Sequence, residues 1–331
     1  MGYSIRKVFL LFFITVICLF FAGCGGGSNT SLAGGGIGGT GITASGAITG
    51  FGSIFVNGIE FETAGASRDV DGEMSVSDGT DDAAVLGIGM VVTVTGTLND
   101  DGLTGTAEHI QYDDAVQGPV LGPVIEVDPL TRSFTVMGIS ITMHAGSTVF
   151  ANVDFDTLQA DDLVEVSGFF DADGALQATR IVRKDGSEID VEVKGTVTGL
   201  AGTLFVLAVD YTTATTYTVD ATAAELPAGG LADNQYVEVK GILTGNTIEA
   251  ARVDLKSEGF DDTENASIEG IVTDFIDIGN FRVAGQLVDA SVAEFNPADF
   301  VGNLANGVEV EVDGAIQGGV LLASRVEAGD D

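Results

Sequence analysis

Val237-Glu238-Val239-Lys240-Gly241, followed by Ala250-Ala251-Arg252-Val253, decides how the rest of this chain is read. Its valines alternate with charged residues at a period of two, the pattern of a strand with one apolar and one polar face. Between the two segments Gly245-Asn246 supplies turn residues, so the pair reads as a hairpin. The first segment recurs as Val92-Thr93-Val94-Thr95-Gly96, Val164-Glu165-Val166-Ser167-Gly168 and Val310-Glu311-Val312-Asp313-Gly314. The second recurs as Ala107-Glu108-His109-Ile110, Ala178-Thr179-Arg180-Ile181 and Ala323-Ser324-Arg325-Val326. One unit is therefore written four times.

Upstream of each hairpin stands an opening glycine, at Gly46, Gly118, Gly195 and Gly270, giving steps of 72, 77 and 75 residues. A further strand recurs as Ile54-Phe55-Val56, Phe134-Thr135-Val136, Phe205-Val206-Leu207 and Phe281-Arg282-Val283. Asn57-Gly58 then supplies the two positive-φ residues of a tight turn into Ile59-Glu60-Phe61. No segment keeps a helical period; 156–161 and 298–304 have room for one or two helical turns. About 70 residues in five or six strands is too short for an immunoglobulin sandwich and suits a small β-barrel of the OB or SH3-like kind. The expected fold class is all-β: four tandem barrels over 45–114, 116–186, 187–258 and 261–331, arranged as beads in series whose neighbours touch.

The first 23 residues read as a secretion signal: Arg6 and Lys7 precede an apolar run from Val8 to Phe21 that closes on Ala22-Gly23-Cys24. The run is shorter than the roughly 20 residues a membrane-spanning helix needs. Ending on a cysteine, it resembles a bacterial lipoprotein signal, although Phe21 stands where Leu is usual. The resemblance implies that Cys24 is lipidated and anchors the chain to the bacterial cell envelope. Gly25 in place of an aspartate implies the outer membrane. Residues 24–44 are expected to be a flexible tether, since Gly25–Ser45 holds nine glycines among 21 residues.

Without the signal the chain keeps 11 Lys and Arg against 49 Asp and Glu, a formal charge of −38. That field has the wrong sign for a phosphate backbone, which weighs against a nucleic-acid partner. Absence of cysteine beyond Cys24 means that each unit folds on its own core.

Catalytic constellations are scarce. The two histidines, His109 and His144, belong to no spaced ligand set, and no Gly-X-Ser-X-Gly elbow is present. The sharpest local anomaly is the insertion from Asp69 to Asp82, where Asp69, Asp71, Glu73 and Asp78 are calcium candidates opposed by Arg68. Gly72 falls at the wrong position for an EF-hand, and a solvated acidic loop is the favoured reading. Glu165, Glu238 and Glu311 are expected to point outward, opposite their valines, and to be cross-strand neighbours of Arg180, Arg252 and Arg325. No cofactor and no catalytic residue is assigned.

Taken together, the glycine-rich leader and the ordered recurrence of Gly-X-Val, Phe-X-Val-X-Gly, Val-Glu-Val-X-Gly and Ala-X-Arg-Ile resemble a bacterial lipoprotein repeat family of unknown function. The resemblance implies small β-barrels and an envelope location, and it brings no activity. The expected function is a non-enzymatic binding or spacer module whose partner is an envelope protein or polysaccharide. The alternative is a calcium-dependent adhesin, or a hydrolase with its site near the acidic insertion.

Overall fold

The computed structural model describes residues 40–70, 73–112, 117–143, 147–185, 190–209, 215–257 and 259–329. The leader, Cys24, most of the glycine-rich stretch, Asp71 and His144 lie outside them. Among the described residues no helix is long and apolar enough to cross a membrane.

The first repeat holds β1 (Thr40–Gly50), β2 (Ile54–Val56), β3 (Ile59–Glu62), β4 (Ser67–Val70), β5 (Glu73–Val76), the short helix α1 (Asp82–Val85), β6 (Val91–Leu98) and β7 (Thr104–Gln111). Five of its strands close on themselves in the order β1-β2-β3-β7-β6-β1, with β3 and β7 parallel and the other pairs antiparallel. The second repeat repeats this ring with β8 (Val120–Asp128), β9 (Ser133–Val136), β10 (Ile139–Met143), β12 (Leu163–Phe170) and β13 (Leu176–Arg183), flanked by β11 (Val149–Ala151). The third uses β14 (Asp190–Ala201), β15 (Leu204–Val209), β16 (Thr216–Asp220), β17 (Tyr236–Thr244) and β18 (Thr247–Leu255). The fourth uses β19 (Thr263–Asp277), β20 (Asn280–Val283), β21 (Gln286–Asp289), β23 (Glu309–Gln317) and β24 (Val320–Ala328), flanked by β22 (Glu294–Asn296). Each repeat is thus a closed five-stranded barrel of the small OB-like kind. The expected helical turns are single 3₁₀ turns at Phe155–Thr157 and Ala298–Gly302.

The Ala-X-Arg-Ile signature has a geometric cause. Ala107 and Ile110 are three residues apart yet both buried, as are Ala178 and Ile181, Ala250 and Val253, and Ala323 and Val326. Successive strand residues alternate faces, so a spacing of three shares one face only where a residue is inserted. The register shows that insertion in every copy: Gly241 pairs with Ala250 while Lys240 pairs with Arg252, leaving Ala251 as the bulge. Corresponding shifts occur at Thr95/Gly96, Ser167/Gly168 and Asp313/Gly314. The bulge brings the last strand against the marker glycine so closely that a Cβ there would lie 2.0 to 2.3 Å from a backbone carbonyl oxygen, Thr106 O at Gly96 and Glu249 O at Gly241. No other residue fits that crossing.

The register also corrects the repeat spacing. Gly46 pairs with Val92, Gly195 with Val237 and Gly270 with Val310, and in the second repeat it is Gly122, not Gly118, that pairs with Val164. The steps from 46 to 122 to 195 to 270 are therefore 76, 73 and 75 residues. Asn57 and Gly58, with φ of 52° and 68°, form the expected primed turn.

Repeats do not follow one another like beads. Strand β1 pairs in parallel with β19, so the first and fourth barrels share one 13-stranded sheet, and β8 meets β14 at Glu192 and Leu121, joining the second and third in an 11-stranded sheet. Ala47, Val91, Phe169 and Ile271 form a small buried cluster drawn from the first, second and fourth repeats. Residues 38–331 make up one compact unit. The glycine-rich stretch ends earlier than expected, because β1 begins at Thr40 and is held by β6 from Thr40 to Ala47.

Candidate functional site

The three glutamates expected to face solvent are instead buried or half-buried, as is Thr93 at the equivalent place in the first repeat. Glu238 is 0 % exposed and Glu165 3 %, and Glu311 is only partly open. At Glu165 the face turned out of its own barrel meets Tyr112 of the first repeat. The expected pairing with the arginines is corrected too: Arg180, Arg252 and Arg325 sit opposite Ser167, Lys240 and Asp313, two residues beyond each glutamate. Arg252 pairs with Asp254 at 2.6 Å, and Arg180 donates to the Ile88 carbonyl of the first repeat at 3.0 Å. Arg325 reaches its glutamate, Glu311, at 3.6 Å.

Glu165 and Glu238 belong to a buried charge network in the second and third repeats. Beyond the leader the chain has four lysines, Lys184, Lys194, Lys240 and Lys256, and all four are in it. Glu238 lies 3.1 Å from Lys256, 3.7 Å from Lys194 and 3.8 Å from Lys240; Lys240 also reaches Glu192 at 3.1 Å. Lys184 holds Glu165 at 2.9 Å, and Tyr112 of the first repeat inserts its hydroxyl to donate to Glu165 at 2.9 Å. Burial, and then the charge of Glu165, push the Tyr112 phenol well above its ordinary range, so it stays a neutral donor. Charges desolvated this far are held by mutual pairing, around Glu238 within the third repeat and at Glu165 within the second, where Tyr112 joins from the first.

Glu311 lines an open cleft of about 590 Å³ where the first, second and fourth repeats meet. Its lining includes apolar Ile59, Ile88, Leu103 and Val149 from the first two repeats, and Glu269, Glu309, Glu311, Asp313 and Glu327 with Arg325 from the fourth. Its floor is the junction of β1 and β19. There the Asn57 amide donates to Ser45 O at 3.1 Å and Ser267 O at 2.9 Å, while the Glu269 carboxylate accepts from Ala47 N at 2.7 Å. Arg325 lies 2.8 Å from Asp313 and also pairs with Glu327. Burial, followed by repulsion from Asp313, raises the Glu311 carboxyl to about 7. The cleft therefore holds a carboxyl raised toward neutrality, that of Glu311, in a lining that also carries apolar side chains. Sequence reading took Asn57 only as a turn residue and missed Glu269 and Glu309.

The acidic insertion is not a solvated loop. It forms the hairpin β4–β5 and helix α1 around Arg68, which is 2 % exposed and lies 2.8 Å from Asp81 and 2.9 Å from Asp82. Asp82 in turn accepts from Ser77 Oγ at 2.8 Å and from Thr63. An arginine buried between two carboxylates needs them both, so the charges that suggested a loop are what hold a hairpin. Of the calcium candidates, Asp69 lies on β4, Glu73 on β5, and Asp78 caps Thr80 at 2.8 Å; they are not brought together. Among the described residues no group of three or more His, Cys, Asp or Glu is arranged to hold a metal ion. His109 contacts Ser67 Oγ through Nδ1 at 2.6 Å on the exposed face of β7 and does not line the cleft.

No curated protein matches the chain. Among solved structures it is similar to one described as drosophila Unr CSD456, at 13 % identity and a TM-score of 0.19, over 52 % of this chain and 79 % of that one. The repeat signature itself is matched four times, over residues 42–111, 122–182, 194–254 and 269–327, and on that evidence the chain belongs to the DUF5666 family, a domain of unknown function.

Proposed function

We propose that this chain is an envelope lipoprotein, anchored through Cys24 on the outer membrane, whose four barrels act together as a non-enzymatic binding module with its ligand seat in the cleft. The observation that carries the reading is that the cleft takes its walls from three different repeats. A spacer needs only barrels in file, whereas a shared cleft exists only when the barrels are assembled. Its carboxylates and apolar side chains suit a partner that offers positive or hydroxyl groups on an apolar frame, from an envelope protein or polysaccharide. The outer faces of the second and third barrel strands carry residues such as Glu60, Glu62, Thr135 and Thr142. Phe55 and Arg282 also face outward there, so it is the net charge of −36 that supports a partner other than nucleic acid.

Two measurements test this reading. Cys24→Ser should leave an unprocessed or soluble precursor while the wild-type chain partitions into detergent; membrane fractionation of the Ser variant after cleavage at the same site contradicts the anchor. For the module, the chain from Thr40 onward should be stabilised against heat by a glucosamine tetramer more than by its acetylated form. Glu269→Gln with Glu309→Gln should remove the difference. Equal stabilisation by both sugars, or by neither, contradicts the cleft as the seat.

A further inference from the structure

Repeat 1 alone extends the flank of its barrel into two strands. In the other repeats the last strand is flanked by β11, by a single bridge from Glu225 to Arg252, or by β22, each no longer than three residues. In the first repeat β4 occupies that place, at Ser67 to His109, and β5 is added beyond it as the end of the 13-stranded sheet. The addition is rigidly seated: Arg68 Nε donates to Ser75 Oγ of β5 at 3.2 Å while its guanidinium is clamped by Asp81 and Asp82. Ser77 N donates inward to Ala66 O at 2.9 Å. Backbone groups alternate sides along a strand. With Ser75 and Ser77 turned to β4, the N–H and C=O of Met74 and the N–H of Val76 face the open edge, while the Val76 carbonyl accepts from Arg68 Nη2 at 3.5 Å.

Those two residues are also the exposed apolar ones, Met74 at 69 % and Val76 at 68 %. They share a face, and exposed Glu73 and Asp78 stand at either end. Natural edge strands are blunted by lysine, proline or bulges. This one, although only four residues long, has none of these and is fastened to β4 beside a buried ion cluster. We propose that β5 is a docking edge that accepts an extended segment of a partner polypeptide as an added strand, with apolar residues at alternate positions over Met74 and Val76 and lysine or arginine opposite Glu73 and Asp78. Charge selects this occupant over a second copy, since two chains of net charge −36 repel.

The probe is an eight-residue peptide of alternating Lys and Val, labelled for fluorescence anisotropy, with an alternately N-methylated form as its control. Binding to the chain from Thr40 onward is expected, and the N-methylated peptide should fail because one hydrogen-bonding edge is blocked. Met74→Pro removes an outward N–H without touching the ladder to β4 and should weaken binding at least about tenfold. Met74→Thr with Val76→Thr keeps the strand and should weaken it similarly, which holds the test open if the proline variant misfolds. The proposal is overturned if the peptide binds both variants as tightly as the wild type, if it does not bind at millimolar concentration, or if the edge proves to be a dimer contact that Met74→Pro dissolves.

Discussion

Replacing Glu311 by Gln should stabilise the fourth repeat in alkaline solution, although it removes a residue 3.6 Å from an arginine. In the folded chain burial and Asp313 lift the Glu311 carboxyl from 4.5 to about 7. Between those values the folded chain keeps a proton that the unfolded chain has lost. The stabilisation is complete below pH 4.5 and is lost as pH rises through 7. A shift of this size corresponds to about 3 kcal/mol at 1.36 kcal/mol per unit. The side chain is 22 % exposed and screened by Arg325, so about 2 kcal/mol is the working figure. Gln mimics the protonated form, keeps a polar atom for Ser267 Oγ, now 3.2 Å from Glu311, and leaves Arg325 on Asp313. Carboxylates held low by local hydrogen bonds, such as Asp262 and Asp289, shift stability the opposite way but equally in both proteins. Urea unfolding of wild type and variant should therefore coincide within about 1 kcal/mol at pH 5 and diverge by about 2 kcal/mol in favour of Gln at pH 8.5. A variant that is less stable at pH 8.5, or a difference independent of pH, refutes the assignment of Glu311 as a buried carboxyl that ionises against its surroundings.

Three further outcomes follow from particular contacts. Gly241→Ala places a Cβ 2.3 Å from Glu249 O and should destabilise the third repeat by about 3 kcal/mol or more in chemical denaturation, whereas Gly229→Ala, with open space around it, should be nearly neutral. Glu238→Gln leaves Lys194, Lys240 and Lys256 around an uncharged amide and should destabilise by about 3 to 5 kcal/mol, measured the same way, because a buried pair is broken from one side. Arg68→Met strands the buried Asp82 and should open the β4–β5 hairpin, seen as faster amide exchange at Ser75 and Ser77 while the barrel amides of β6 stay protected.

What could be read from sequence was local. Alternating valines, Asn57-Gly58 and the fourfold markers identify strands, turns and barrels because their periods are set by backbone geometry within a few residues. The bulge was legible in principle: Ala107 and Ile110, three apart and both apolar, cannot share a strand face without an inserted residue. What was not legible depends on partners far along the chain. Glu269 reaches Ala47 across 222 residues, and no local pattern distinguishes a polar face turned to water from one turned to another barrel. The lysines were a clue of a different kind. In a chain so acidic, Lys184, Lys194, Lys240 and Lys256 could each have found carboxylates anywhere, and their gathering around Glu165, Glu192 and Glu238 appears only once the strands of each barrel are set side by side. The acidic insertion misled because Arg68 was counted as one charge against many, when a single buried arginine organises two of them.

The most direct test of the account is small-angle X-ray scattering from the chain beginning at Thr40. If β1 and β19 pair and the four barrels close into one body, the radius of gyration should be about 19 Å, the value for a compact domain of this length. A markedly larger radius with an elongated distance distribution would mean barrels strung in file, and the shared cleft, with the function assigned to it, would not exist.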